Sequence, residues 1–314
     1  MTSTEPSARP AHPQPAPASG SQAHRCGHAA IVGRPNVGKS TLLNRLVGQK
    51  LSITSRKAQT TRHRIAGILT RPDAQLIFID SPGHQARAGG ALDRLLNRTA
   101  RQVAADADVV VLVCDGLGWT PADAQMATLL PRDRPTILAV NKVDAARDRA
   151  RLASLLREAS GVRPFDEIVP LSARTGHQVG LLADLCAARL PAGPALFEAD
   201  ALTDRGERFF AAEIIREKLF RLLGDELPYE STVLVDQFEE LPRLRRIHAT
   251  IVVAREAHRP IVLGAGGERI RRIATEARQD LERMLDTKIY LELFVKVRGG
   301  WADDEASLRA FGYD

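Results

Sequence analysis

Residues 33–40 read Gly33-Arg34-Pro35-Asn36-Val37-Gly38-Lys39-Ser40 and run on into Thr41. Glycine at the first and sixth positions, then lysine and a hydroxyl, is the spacing of a loop that wraps phosphate. The glycines let the backbone turn so that successive N–H groups, from Asn36 through Thr41, aim at phosphate oxygens. Lys39 is placed for the outer phosphates and the Ser40 hydroxyl for Mg²⁺. An apolar run, Ala29 to Val32, precedes the loop and an amphipathic stretch, Thr41 to Val47, follows it. The loop therefore joins a strand to a helix, which is the context the motif requires.

Three further segments choose the nucleotide. Ile79-Asp80-Ser81-Pro82-Gly83 follows an apolar run. Asp80 suits holding Mg²⁺ through water, and the Gly83 N–H suits a γ-phosphate. Asn141-Lys142-Val143-Asp144 ends another apolar run. The Asp144 carboxylate accepts from guanine N1–H and its exocyclic amine, a donor pair that adenine lacks. Asn141 fixes the surrounding loops, and the Lys142 stem lies over the purine plane. Ser172 and Ala173, within Leu171-Ser172-Ala173-Arg174, bring a backbone N–H to guanine O6. Each motif alone is commonly a turn or a helix cap; in this order they specify a GTPase, with GTP and GDP as its nucleotides. A small-molecule phosphotransferase would have no use for Asn141 to Asp144. The order and wording resemble the translation-factor-related GTPases over residues 28–190.

The segment Ser55 to Arg64 contains Gln59-Thr60-Thr61-Arg62. A threonine here closes on Mg²⁺ and γ-phosphate when GTP is bound and releases after hydrolysis. Chemistry alone does not choose between Thr60 and Thr61. The resemblance to GTPases with asparagine at the Asn36 position implies that Thr61 is the Mg²⁺ ligand. It also implies that Asn36, with the switch, holds a K⁺ ion in place of an arginine finger; the residue alone equally suits shaping the loop. His84 stands where Ras-like enzymes carry a water-orienting glutamine, and the enzymes resembled here carry an apolar residue there. Slow hydrolysis that needs K⁺ is the expectation. Residues 50–64 hold five Lys/Arg and no acid, which reads as a solvated loop or as a basic face for RNA phosphate.

The elements that must position these residues are legible as alternating patterns. Strand-like runs fall at 29–32, 65–69, 75–79, 109–114, 136–140 and 168–171, and helical periodicity at 92–105, 122–130, 149–158 and 179–190. This alternation predicts an α/β domain with a mainly parallel sheet over 28–190. Every motif above then lies past a strand end, where such sheets bind ligands. Residues 1–27, rich in Pro, Ala and Ser, read as a disordered tail with neither a secretory nor a transit signal. Residues 191–205 read as a linker. A second unit, 206–314, runs helix (209–223), strand (232–238), strand (246–254), a glycine turn, helices (268–285) and strand (288–297).

A chain of 314 residues fits two domains. No run approaches the ~20 apolar residues that span a bilayer. Three widely spaced cysteines form no metal motif or disulfide framework, so a reducing cytoplasm is expected. Cys114 and Cys186 fit a core. Of the net charge of +6, the first 205 residues carry +8 and residues 206–314 carry −2, yet residues 243–272 hold eight Arg against Glu256 and Glu268.

Within that basic stretch lies Gly264-Ala265-Gly266-Gly267. A G-x-x-G turn after two strands and a helix, followed by a helix and a strand, is the order of a type II KH fold, whose glycine loop clamps a single-stranded backbone. Arg269 and Arg272, with Arg271, follow it as phosphate partners or as a solvated face. Ile270 and Ile273 would floor a groove for bases. Where KH loops commonly carry a basic residue, this chain has Ala265 and Gly266. With the QTTR switch, Glu213 to Leu219, Glu226-Leu227-Pro228-Tyr229 and Gly300 to Glu305, the chain resembles the Era family of bacterial GTPases from about residue 28 onward. The expected fold is thus an α/β P-loop GTPase domain followed by an α+β type II KH domain. The resemblance implies catalysis through Lys39, Thr61, Asp80 and Gly83, and a monomer that binds the 3′ end of 16S rRNA in the immature 30S subunit. It also implies assistance to small-subunit maturation, and peripheral association with the cytoplasmic face of the inner membrane. The rival readings are a GTPase acting on another RNA or protein, and a nucleotide sensor without catalysis.

Overall fold

The structure, a computed structural model, describes residues 23–313 except 56, 58, 85–88, 147, 225 and 226. Its first unit comprises β1 (Arg25–Val32), α1 (Lys39–Val47), β2 (Ile65–Thr70), β3 (Ala74–Asp80), α2 (Ala91–Asp106), β4 (Val109–Asp115), α3 (Pro121–Leu129), β5 (Thr136–Asn141), α4 (Arg149–Val162), β6 (Glu167–Pro170) and α5 (Val179–Ala187). The sheet order is β2-β3-β1-β4-β5-β6. Only the β2–β3 pair is antiparallel. All seven residues of β3 and of β4 are buried, because helices cover both faces of a mainly parallel sheet. One apolar layer joins the sheet to α1 and α5, and the other joins it to α2, α3 and α4.

The strand β1 starts inside the expected tail. Arg25, Cys26 and Gly27 pair with Ala74, Gln75 and Leu76, so backbone pairing, which composition does not reveal, orders them. Residues 1–22 lie outside the described residues. The segment 191–205 is docked rather than free. Its Leu202 carbonyl accepts from Ile68 N on the edge strand β2 at 2.9 Å, and Gln75 Oε1 accepts from Leu196 N and Phe197 N. Cys26, Cys114 and Cys186 are free thiols, all buried.

The second unit comprises α6 (Glu207–Leu222), β7 (Ser231–Leu241), β8 (Leu244–Val253), α7 (His258–Leu263), α8 (Glu268–Leu285), β9 (Lys288–Val297) and α9 (Glu305–Ala310). β7 runs antiparallel and β9 parallel to β8, the type II KH arrangement, with α6 and α8 on one face. α8 is one helix, not several. The six-residue helices α7 and α9 are too short to show periodicity.

From Glu213 to Phe220 every residue of α6 is buried. A helix enclosed all round has partners on both sides; here these are its own sheet and the first unit. Arg216 pairs with Glu213 at 2.6 and 2.7 Å and donates to the Thr60 carbonyl at 2.5 Å. Burial would raise the Glu213 carboxyl, but the Arg216 guanidinium overrides it and holds it below its ordinary value. The C-terminal segment makes a second contact: Asp303 Oδ1 and the Ala302 carbonyl accept from Ala91 N and Leu92 N at the start of α2. Arg216→Met leaves Glu213 buried and unpaired, and should cost about 3–5 kcal/mol in denaturant unfolding. Adding Glu213→Gln should restore much of it. A loss below about 1 kcal/mol would mean that the pair is effectively solvated.

Candidate functional site

The phosphate loop leaves β1 and enters α1 through Gly38, whose φ is 99° and which provides no capping side chain. The first amides of α1 are therefore left open to an anion. A Cβ on Gly33 (φ 148°) would lie 2.4 Å from the Val113 carbonyl, and one on Gly38 2.3 Å from Asn141 Nδ2. Asn36 also adopts a left-handed φ of 64°, which asparagine tolerates. Val37 is buried beneath the loop. Lys39 Nζ donates to the Gly33 and Arg34 carbonyls at 3.0 Å each. Burial pushes its pKa down to about 8 against the pull of Asp80. The Arg34 guanidinium turns away to Asp123, at 3.0 and 3.1 Å.

Asp80, at the end of β3, is fully buried. Its Oδ2 accepts from Ser40 Oγ at 2.8 Å, Ser52 Oγ at 2.7 Å and Thr61 Oγ1 at 3.4 Å. Ser40 and Thr61 hydroxyls are 2.8 Å apart. Among the described residues Asp80 Oδ1 has no hydrogen-bond partner. Burial raises the Asp80 pKa, opposed by Lys39 and then by the hydroxyls of Ser52, Ser40 and Thr61. Two hydroxyls and an under-satisfied carboxylate converging on one point are hard oxygen donors that fit Mg²⁺. Gly83 closes over the loop: an added Cβ would sit 2.9 Å from Pro35 N and Cα.

At the other end, Asn141 fastens three loops. Its Nδ2 donates to the Val37 carbonyl at 2.8 Å, and its Oδ1 accepts from Lys142 N at 2.8 Å and Ala173 N at 2.9 Å. Lys142 Nζ bridges the Asn36 carbonyl and Asp115 Oδ2, both at 2.7 Å. The Asp144 carboxylate accepts from Ser172 Oγ at 2.5 Å and from Arg174. These donors, Ser172 foremost, hold it below the usual carboxylate range. One cleft of about 710 Å³ is lined by Asn36, Gly38, Lys39, Ser40, Thr41, Thr60, Thr61, Gly83, Asn141, Lys142, Asp144 and Ala173, among others.

Several placements differ from expectation or were not anticipated. Three of the five basic residues of 50–64 turn to the second unit rather than standing as a free basic face, while Arg64 is exposed and Arg56 lies outside the described residues. Lys50 meets Glu217 at 2.6 Å, Lys57 donates to the Leu223 and Gly224 carbonyls, and Arg62 is buried in the second unit. Thr54 N likewise donates to Glu217. His84 is buried and does not line the cleft, so its ring is not placed to orient water there. Gln85 lies outside the described residues. Ser52, Asp115 and Arg174 join the site unpredicted; only Asp115, a carboxylate at a strand end, carried a signal.

In the second unit, Gly264 (φ 73°), Gly266 (φ 55°) and Gly267 (φ 77°) form the turn into α8. A Cβ on Gly264 would strike Arg269 N at 2.9 Å, whereas Gly266 and Gly267 have open space beside them. That leaves their backbone approachable. A cleft of about 290 Å³ beside the turn is lined by Leu222, Gly264, Ala265, Glu268, Arg269 and Arg272. Arg271 instead folds back on the Gly266 carbonyl at 2.8 Å. Ile270 is half-buried. Ile273 is wholly buried in the core and cannot floor a groove.

A glycine-built cradle, a hydroxyl–carboxylate cluster and a base-reading aspartate, in series with a KH unit, define a P-loop GTPase that carries an RNA-binding module. A family profile described as 50S ribosome-binding GTPase matches residues 28–142, and one described as KH domain matches residues 226–302. The chain is 54% identical over 290 residues to GTPase Era of Bordetella pertussis, covering 92% of this chain and 98% of that protein. It is 48% identical over 289 residues to GTPase Era of Chromobacterium violaceum, with coverage of 92% and 98%. An Aquifex aeolicus Era variant bound to GDP·AlF4⁻ superposes with a TM-score of 0.88 at 38% identity, covering 92% of this chain and 99% of that one. Era in complex with MgGDPNP and nucleotides 1506–1542 of 16S ribosomal RNA gives the same TM-score, 0.88, and the same 38% identity and coverage of 92% and 99%. The chain belongs to the Era family. It is a GTPase, and its nucleotide is a guanine nucleotide with Mg²⁺.

Asp80→Asn tests the carboxylate cluster. An amide can keep accepting at the Oδ2 position, while the orphaned Oδ1 position no longer carries buried charge. The nucleotide-free variant should melt at a higher temperature than the parent and lose Mg²⁺-dependent GTP hydrolysis. Unaltered hydrolysis would contradict the magnesium role.

Proposed function

We propose that this GTPase binds the single-stranded 3′ end of 16S rRNA through its KH turn and assists maturation of the small ribosomal subunit, with GTP favouring the RNA-bound state. One observation carries the reading. The cleft that gathers the nucleotide motifs has residues 53–55, 57 and 59–61 in its wall, and the same segment leans on α6 through Thr54–Glu217 and Thr60–Arg216. The 16S rRNA complex of a 38% identical Era supports the choice of RNA.

In this reading the amides from Asn36 to Thr41 and Lys39 hold the phosphates. Ser40, Thr61 and Asp80 hold Mg²⁺, and Gly83 N–H meets the γ-phosphate. Asp144 reads guanine, Asn141 and Lys142 shape its pocket, and Ser172 and Ala173 close it. Magnesium bound there neutralises charge developing on the transferred phosphoryl group. Gly264, Ala265, Gly266, Gly267, Arg269, Ile270 and Arg272 contact RNA.

The affinity of full-length protein for an oligonucleotide matching the 16S 3′ end should be about tenfold higher with a non-hydrolysable GTP analogue than with GDP, a coupling of ordinary size. Arg269→Ala and Arg272→Ala should each weaken binding and reduce the salt slope by about 1. Equal affinity in the two nucleotide states would contradict the coupling.

Asn36 is further proposed as a K⁺ ligand. The residue lines the cleft, and Arg34, the arginine of the same loop, is engaged by Asp123. Replacing K⁺ by Na⁺ should slow hydrolysis roughly tenfold or more, as loss of one transition-state contact does. Equal rates in the two salts would remove the ion from the reading.

A further inference from the structure

Arg62 directly follows Thr61, yet its side chain leaves the GTPase unit altogether. Nη1 donates to the Ser231 carbonyl at 2.8 Å, and Nη2 to the Pro228 and Tyr229 carbonyls at 2.9 and 3.0 Å. Nη1 also reaches the Tyr313 hydroxyl at 3.4 Å. The guanidinium carbon lies 5.7 Å from the Phe220 ring centroid and 6.0 Å from that of Trp301. Arg62 is only 2% exposed. Among the described residues no carboxylate pairs with it; Glu213, a carboxylate whose charge acts on it, is taken by Arg216. Burying a cation against carbonyl dipoles and ring faces alone is expensive, so this arrangement is poorly explained as interface adhesive.

Its neighbours are held by the same unit. The Thr60 carbonyl accepts from Arg216. The His63 ring stacks on Tyr313, with centroids 4.7 Å apart and planes 9° apart, and meets Phe209 edge-on at 5.4 Å. The Tyr313 hydroxyl is itself tied to Thr232 Oγ1 at 2.8 Å. Between these anchors the Thr61 hydroxyl points the other way, to Ser40 and Asp80.

We infer that Arg62 is a positioning residue for GTP hydrolysis: the KH unit grips its guanidinium and thereby sets the Thr61 hydroxyl at the magnesium position. The inference rests on the reading of Thr61 as a magnesium ligand. A lysine cannot replace the arginine, because one compact ammonium does not span three carbonyls that a planar fork reaches together. The KH unit thus contributes to the chemistry of the GTPase unit without touching the nucleotide.

The test uses full-length protein carrying Arg62→Lys, Arg62→Met or Tyr313→Phe, with Mg²⁺ titrations of GTP hydrolysis beside GDP affinity and melting temperature. Arg62→Lys should keep the fold and lower kcat by about 10²-fold, the scale of an ångström-level misplacement, and should raise the Mg²⁺ concentration for half-maximal rate. GDP affinity should change by less than about twofold, since the threonine closes on the γ-phosphate that GDP lacks. Tyr313→Phe should shift the same quantities less, which keeps the test decisive if Arg62→Met fails to fold. A lowered melting temperature with unchanged kcat and Mg²⁺ dependence below it would overturn the inference, leaving Arg62 as a structural contact. Thr61→Ala hydrolysing GTP at the parental rate would instead remove the assignment of Thr61, and the inference with it.

Discussion

One buried carboxylate organises this molecule. Asp80 sits at the end of a strand with no exposure, and three hydroxyls from three different segments converge on a single one of its oxygens. Each hydroxyl brings its segment along: Ser40 the start of α1, Ser52 the turn after α1, Thr61 the switch. Hydrogen bonds to neutral donors compensate a buried charge only partly, and among the described residues the second oxygen has none. The cluster is thus short of positive charge, and a divalent cation meets that need better than any rearrangement of the chain. The switch segment is tied to this carboxylate through Thr61.

The proposed coupling runs through the interface with the KH unit. α6 is buried on all sides from Glu213 to Phe220; of its polar residues there, Arg216 and Glu217 meet the other unit, whereas Lys218 pairs with Asp280 of its own unit. Glu217 accepts from Lys50 and Thr54 N, Arg216 donates to the Thr60 carbonyl, and the carbonyls of Leu223 and Gly224 just beyond α6 accept from Lys57. The final residue of α6, Leu222, lines the cleft beside the glycine turn. A single helix therefore touches the segment with Thr54 and Thr60 along its length and the cleft beside the glycine turn at its end. Bistable packing of such an element is how small shifts at one site reach another.

Much of this was legible in the sequence because the chemistry is local. Gly33 to Ser40, Asp80 to Gly83 and Asn141 to Asp144 each encode a turn and its ligand within a few residues, and the apolar runs before them are the buried strands β1, β3 and β5. What escaped reading depends on distant partners. Five bases without an acid between 50 and 64 resemble a solvated face, because the acid and carbonyls that receive three of them, Lys50, Lys57 and Arg62, lie more than 150 residues away. Ile273 has helical spacing that fits a groove floor as well as a core, and only packing decides. The segment 191–205 has a linker's composition, but open edge groups on β2 and the Gln75 side chain capture it. Arg25 to Gly27 looked like the end of a tail until pairing with β3 extended the strand.

Hydrogen–deuterium exchange tests most directly whether the nucleotide site and the KH unit share one switch. Exchange is followed at residues 59–64, 213–224 and 228–232 of the full chain with GDP and with Mg²⁺ and a non-hydrolysable GTP analogue. If Thr61 is held from both sides, protection in all three segments changes together on exchange of the nucleotide. A change confined to 59–64, with α6 and the start of β7 unaltered, would contradict the coupling.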